Sequence, residues 1–389
     1  MSRLHPTIVI FSGFFLLGNL IILWGLLLPD ISASLNMDPA ISGLFFMLMS
    51  VGTVTGAILG GKYVQKFDFL RLFGTLAFAE TFLLLLVSHS YHWQLLLPLI
   101  IVVGLLYSVM FTIGHTLIAR LYINRRAAMM GMMDFMFSLG TLAAPFWVVV
   151  LFWYLEDWRI PLRIIACGML LLSGYTWWVA GKMTQPVAKS SNQQRSLSYL
   201  TVLKQPVFLL LLLSMIGYGA AEWGNGNWFV TYAIDGLNYP SEQARLILAW
   251  FTGGMVISRL GFALLLRWFS PAQLMVILAS LALTGGLMLK LTDGLTLLAL
   301  GNLALGLGVG GLFPLMLATA MDLDSDNGPV LSGLASIGNS LGFQLAGLLT
   351  GFWAQQSGIL VAFWVIPVAA AWMLVMVWLF QYCLKRLAK

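Results

Sequence analysis

The chain has 389 residues, of which 60% are hydrophobic and only 9% charged, and its formal net charge is +6. A soluble domain carries about 25% charged residues, so the composition excludes a soluble fold and reads as an all-α polytopic membrane protein. Two cysteines, Cys167 and Cys383, are too few for a disulfide framework or a four-ligand metal site; they read as small apolar residues.

In chain order, the run from Ile8 to Pro29 is too long for the core of a typical cleavable signal, and a second apolar run follows it closely. About 20 apolar residues cross a bilayer core. Twelve such runs are present, at 7–29, 40–61, 71–89, 93–119, 127–153, 160–183, 206–234, 243–268, 271–290, 294–320, 329–353 and 358–384. Twelve transmembrane helices are therefore expected. The connection 184–205 is polar and Ser/Gln-rich. It divides the chain into an N-terminal six-helix bundle, 1–183, a cytoplasmic linker, and a C-terminal six-helix bundle, 206–389.

An even number of spans puts both termini on one side. If that side is the cytoplasm, it holds all of the 20 basic residues except Arg159, Arg163, Arg245 and Lys290. The positive-inside rule thus fixes the orientation. It also accounts for the positive net charge without nucleic acid. Gly52, Gly56 and Gly60, and the pairs Gly338/Gly342 and Gly347/Gly351, repeat at small-xxx-small spacing, which lets helix backbones approach closely.

Intramembrane acids are costly and functional by default. Glu80, Asp134 and Glu222 fall well inside spans. Tyr218, Glu222, Asn225, Phe229 and Tyr232 occupy one helix face, combining a carboxylate, an amide, hydroxyls and aromatic rings. That mixture suits a sugar, whose hydroxyls need acceptors and whose C–H faces need flat apolar surface. Gly217, Gly219, Gly224 and Gly226 would let this helix bend or break, as discontinuous helices do at transporter sites. A buried carboxyl is also a candidate proton carrier. One proton moving down 100 mV supplies about 2.3 kcal/mol, enough for roughly fifty-fold accumulation of a co-transported solute. Asp134 has His115 and Arg120 near the same end of the neighbouring span, as relay partner or structural salt bridge.

Several signals are chance matches. GNSLG (338–342) has the hydrolase spacing but sits mid-helix. DLDSDNG (322–328) fails the calcium-loop pattern, and Asp326 or Asn327 capping the next span, with Pro329 in its first turn, explains it. The cluster AMMGMMDFM reads as flexible apolar filling rather than a metal path, and no phosphate loop is present. No metal, cofactor or enzymatic activity is expected.

The join GGKYVQKFDFLR after the second span and its counterpart SRLGFALLLRW resemble the signature loops of the major facilitator superfamily, over essentially the whole chain. Gln65 stands where that pattern has an acidic residue, with Lys66, Asp68 and Arg71 supplying the charges. Within the superfamily, YGAAEWGNGNWFVTYAIDGLNYPSEQARLILAWFTGGMVISR and GLGVGGLFPLMLATA are similar to the fucose/glucose/galactose:proton symporter family, and IGHTLIARLYINRRAAMMGMMDFMFSLG to its TsgA-type branch. The sugar symporters carry acids late in the first helix and in the fourth. Here Gly25 stands at the first, and Thr112, Gly114 and His115 surround the second, so the family's proton site does not carry over.

The resemblance implies the major facilitator fold and alternating access by a monomer in a bacterial inner membrane. Glu222, Asn225, Tyr218, Trp223, Trp228, Asn19, Trp24, Asn339 and Gln344 are the expected substrate-binding residues. Glu222, Asp134, His115 and Glu80 are the expected proton-coupling groups, and Lys66, Asp68, Arg71, Arg120 and Arg259 the gating or cytoplasmic-loop charges. Proton-coupled uptake of a sugar or similar small polar metabolite is the first expectation. The alternative is a drug or metabolite:proton antiporter, whose Gly-x-x-x-Gly-Pro pattern survives only in part in GTLAAP (140–145).

Overall fold

The computed structural model describes residues 3–182, 199–324 and 328–387. Asp326 and Asn327, and residues 184–198 of the expected linker, lie outside them. The end of that linker is not all extended coil, because Tyr199–Leu203 forms one helical turn that leads into Pro206.

Twelve membrane-length segments follow one another. In the first half these are α1 (Leu4–Leu35), α2 (Pro39–Tyr63), α3 (Phe69–Ser88), α4 (Trp93–Leu121), α5 (Arg126–Phe152) and α6 (Arg159–Lys182). In the second half they are α7 (Pro206–Thr231), α8 (Ser241–Leu265), α9 (Pro271–Leu291), α10 (Leu295–Gly310, continued by Leu312–Leu323), α11 (Gly328–Ser357) and α12 (Val365–Leu387). Ten are long and apolar enough to cross a membrane by length and composition. The other two are α8, which carries Glu242, Arg245 and Arg259, and α11, which carries a series of Gly, Ser, Asn and Gln residues.

Helix boundaries have local causes. Asp38 caps α2 through Ile41 N at 2.8 Å and Asp68 caps α3 through Arg71 N at 2.8 Å. Ser270 and Gln273 form a capping box at α9, with Pro271 in its first turn. Asn36 ends α1 in the left-handed region at φ 52°, a conformation that asparagine tolerates better than most residues.

The chain forms two compact units, Met1–Lys189 and Ser190–Lys389. Each has the same internal pairing. In the first unit α1 packs on α5, α2 on α4 and α3 on α6; in the second α7 packs on α11, α8 on α10 and α9 on α12. Glycines make the first two pairings of each unit possible. No Cβ fits at Gly18 against the Phe137 backbone, at Gly140 against Phe15, or at Gly52 and Gly104 where α2 crosses α4. The same holds at Gly219 and Gly342 between α7 and α11, and at Gly254 and Gly306 between α8 and α10. With no hydrophobic drive between helices in lipid, such close contact is what holds them.

Contrary to expectation, α7 is continuous. Its glycines do not break it: the helix runs unbroken from Pro206 to Thr231, and only Tyr232–Gly236 widens to a π turn. Gly217 packs against the Met373 backbone and Gly219 against Asn339, so both serve close approach instead of bending. The interruption falls in α10, at Gly311.

Candidate functional site

The polar side chains collect into two groups, one in each unit. The second unit holds the more buried one. Glu222, near the middle of α7, is 5% exposed, and its Oε1 lies 3.5 Å from a guanidinium nitrogen of Arg259 on α8. Tyr218 stands one turn earlier on α7, its hydroxyl within hydrogen-bonding reach of both the carboxylate and the guanidinium. The i, i+4 spacing puts Tyr218 and Glu222 on one face, and α8 delivers the cation to it. A lone carboxylate at this depth would cost several kcal/mol. Arg259 is therefore the reason that Glu222 is tolerated, and this places Arg259 inside a helix and not in a cytoplasmic loop.

Asn225, fully buried, donates from Nδ2 to Asn302 Oδ1 of α10 at 2.9 Å, and Asn302 Nδ2 in turn donates to the Leu298 carbonyl at 3.1 Å. Asn225 Oδ1, Asn227 Nδ2 and Asn339 Oδ1 have no hydrogen-bond partner among the described residues. Trp223 stacks on Phe343 with ring centroids 5.1 Å apart, and Trp228 is buried. Further along α7 the expected face turns into packing: Phe229 and Tyr232 meet Phe363, and the Tyr232 hydroxyl donates to the Leu289 carbonyl at 2.9 Å.

In the first unit, His115 of α4 and Asp134 of α5 meet, with Nε2 and Oδ1 3.2 Å apart. The other imidazole nitrogen, Nδ1, is 3.0 Å from the Phe111 carbonyl. The rings of Phe14 and Phe111 flank the imidazole at 5.3 and 4.5 Å. The salt bridge considered between Asp134 and Arg120 does not form. Arg120 points away, its guanidinium 4.7 Å over the Phe69 ring, and with Arg3, Tyr122 and Arg125 it lines a cavity of about 450 Å³.

Asn19 accepts from Trp147 Nε1 at 2.8 Å and donates to the Phe15 carbonyl, so both ends of its amide are engaged between α1 and α5. Trp24 is fully buried, edge-on to Phe45. Glu80 is fully buried on α3, and neither carboxyl oxygen has a hydrogen-bond partner among the described residues. Gln344 is half-buried on α11. Among the loop charges, Asp68 spends its carboxylate on the α3 cap, Arg71 is exposed, and Lys66 lies 5.1 Å over the Tyr63 ring.

Two residues escaped the sequence reading. Asn302 lies in a Gly/Leu-rich run with no local feature to mark it. Arg245, counted above only among the four basic residues on the outer side, lies early in α8 and is only 1% exposed.

Comparison with known proteins agrees with this architecture. Residues 9–326 match the family model of the Major Facilitator Superfamily. The protein TsgA homolog of Yersinia enterocolitica is 21% identical over 365 residues, covering 92% of this chain and 90% of that protein. The TsgA homolog of Yersinia pestis is 20% identical over the same length. Among solved structures, the nucleoside transporter NupG aligns with a TM-score of 0.81 at 16% identity, covering 98% of this chain and 99% of that one. A bacterial homolog of the human lysosomal transporter Spinster, inward-facing and occupied, aligns with a TM-score of 0.75 at 13% identity over 99% and 98%. The chain belongs to the major facilitator superfamily and is an integral membrane transporter, not an enzyme.

Proposed function

We propose that the protein is a secondary active transporter that couples uptake of a sugar or similar small polar metabolite to protons by alternating access. One observation carries the reading: the buried Glu222–Arg259 pair, with Tyr218 against it and amide atoms of Asn225 and Asn227 on the same helix that have no hydrogen-bond partner among the described residues. A carboxylate, a guanidinium, a phenol and amides together offer donors and acceptors in both senses, as a polyhydroxylated solute requires. An unpaired buried polar atom costs about 1–3 kcal/mol, a cost that hydrogen bonds to a bound solute offset. Trp223 and Trp228 supply flat apolar surface nearby in the helix. Likeness to a nucleoside transporter supports the same class, because a nucleoside also presents sugar hydroxyls.

In this reading the protein acts as a monomer in a bacterial inner membrane, with both termini and the 184–205 connection cytoplasmic, as the distribution of basic residues argues.

The test is uptake into proteoliposomes under an imposed pH gradient, alkaline inside, with labelled hexoses, sugar acids, nucleosides, amino acids and a lipophilic cation. Gradient-driven accumulation of a sugar-bearing solute, lost in Glu222→Gln, is the expected result. Movement of the lipophilic cation alone, against the proton flow, would overturn uptake in favour of antiport.

A further inference from the structure

Both ring nitrogens of His115 stand against oxygen atoms. The Phe111 carbonyl can only accept, so Nδ1, 3.0 Å away, must donate to it. With that bond made, Nδ1 carries a proton. Nε2 faces Asp134 Oδ1 at 3.2 Å. A neutral imidazole with its proton on Nδ1 presents a bare lone pair at Nε2, and a carboxylate presents another. Two acceptors do not bond to each other, so this contact requires one further proton, whether it rests on the ring or on the carboxyl.

We infer that His115 and Asp134 together form the one-proton carrier of this transporter, loaded when the pair is closed and emptied when it separates. This rests on the transport reading above and divides its labour: the second unit binds solute at Glu222, and the first carries the proton. Loaded, the dyad has no net charge; unloaded, it bears one negative charge and its two acceptors repel. Proton loss therefore opens the α4–α5 contact, and that coupling of occupancy to helix position is what a symporter needs. Access is available, since the side chains of His115 and Asp134 are 26% and 47% exposed.

Among the described residues of the first unit, the neighbouring ionisable groups are engaged elsewhere. From α1 the neighbouring ring is Phe14, while the ionisable His5 bonds Tyr175. On α4, Arg120 lies over Phe69; from α2, Lys62 lies over Tyr63; from α3, Asp68 caps its own helix and Glu80 is buried. On α5 the next polar group, Ser138, donates to the Asp134 backbone carbonyl and not to its carboxylate. Glu222, by contrast, lies 3.5 Å from the Arg259 guanidinium.

Nitrogen-15 histidine NMR of the full chain in nanodiscs tests this without any solute, with the His115 signals identified by their loss in His115→Gln. The wild type should keep Nδ1 protonated throughout a pH titration while Nε2 alone gains and loses its proton, and Asp134→Asn should displace the midpoint of that step. A neutral form protonated on Nε2, or a midpoint indifferent to Asp134→Asn, would overturn the assignment. In proteoliposomes at 100 mV, Asp134→Asn should collapse the roughly fifty-fold driven accumulation to equilibration, while solute counterflow persists. Full accumulation by Asp134→Asn would also overturn it. If no solute of the panel is transported yet the titration behaves as stated, the uptake reading fails and the proton site stands.

Discussion

Glu222 of α7 and Arg259 of α8 stand 37 residues apart in sequence and 3.5 Å apart in space, and each makes the other tolerable inside the membrane. Opposite charges in a low-dielectric interior roughly balance their desolvation, whereas removal of one partner leaves the other exposed to its full cost. Arg259→Met should therefore lower stability by about 3–5 kcal/mol, and the double variant Glu222→Gln/Arg259→Met should recover most of that loss. Thermal unfolding of the purified variants measures both; failure of the double variant to recover would mean that the two residues do not act as a pair.

The Asn225–Asn302 bond is an interhelical amide contact in a membrane protein, where such bonds average about 0.6 kcal/mol and reach about 1.7. Asn302→Ala should cost within that range in thermal stability. It should also remove the bond that holds the Asn225 side chain in place, and so weaken solute binding at α7 more than folding. Isothermal binding of a transported solute to the variant separates the two effects.

Helix crossings built on backbone contact tolerate no side chain. Alanine at Gly219 or Gly306 drives a methyl group into the Asn339 or Phe251 carbonyl, and overpacking of this kind costs about 1–3 kcal/mol or more. At Gly61, which has open space around it, alanine should instead stabilise α2 by up to about 1 kcal/mol through its better helix propensity. Melting temperatures of the three variants should order accordingly, and equal values would refute the close-packing account.

Neither carboxyl oxygen of buried Glu80 has a hydrogen-bond partner among the described residues, so replacement by an apolar residue of similar size removes a desolvation penalty. Glu80→Met should raise thermal stability by about 1–3 kcal/mol and leave proton-driven accumulation intact. Loss of accumulation with retained folding would move Glu80 into the proton path and displace the His115–Asp134 assignment.

Much of the molecule is legible without coordinates. Apolar run lengths place the spans to within a few residues, because a bilayer of fixed thickness demands a fixed helix length. The expected run 206–234 is observed as Pro206–Thr231 followed by a π turn, and 93–119 as Trp93–Leu121. The stripes Gly52/Gly56 and Gly338/Gly342 announce close crossings, and the structure gives them their partners, α4 and α7. Glu222 and Asp134 stand out because charged groups are rare in an apolar run.

Partnership is another matter. Arg120 and His115 both lie one or two turns from the same helix end, and periodicity alone cannot say which of them meets Asp134. Arg259 read as a loop charge because its neighbours match a loop pattern, and Asn302 had no local feature to mark it. Sequence by itself determined the number of membrane helices, the residues that had to avoid lipid and the glycines that allow close crossings, because helix period and bilayer thickness act within a single segment. Tertiary structure alone decided which cation neutralises Glu222, which nitrogen of His115 faces Asp134 and which amides remain unpaired. Those relationships depend on the register and rotation of two helices packed side by side, which no single segment encodes.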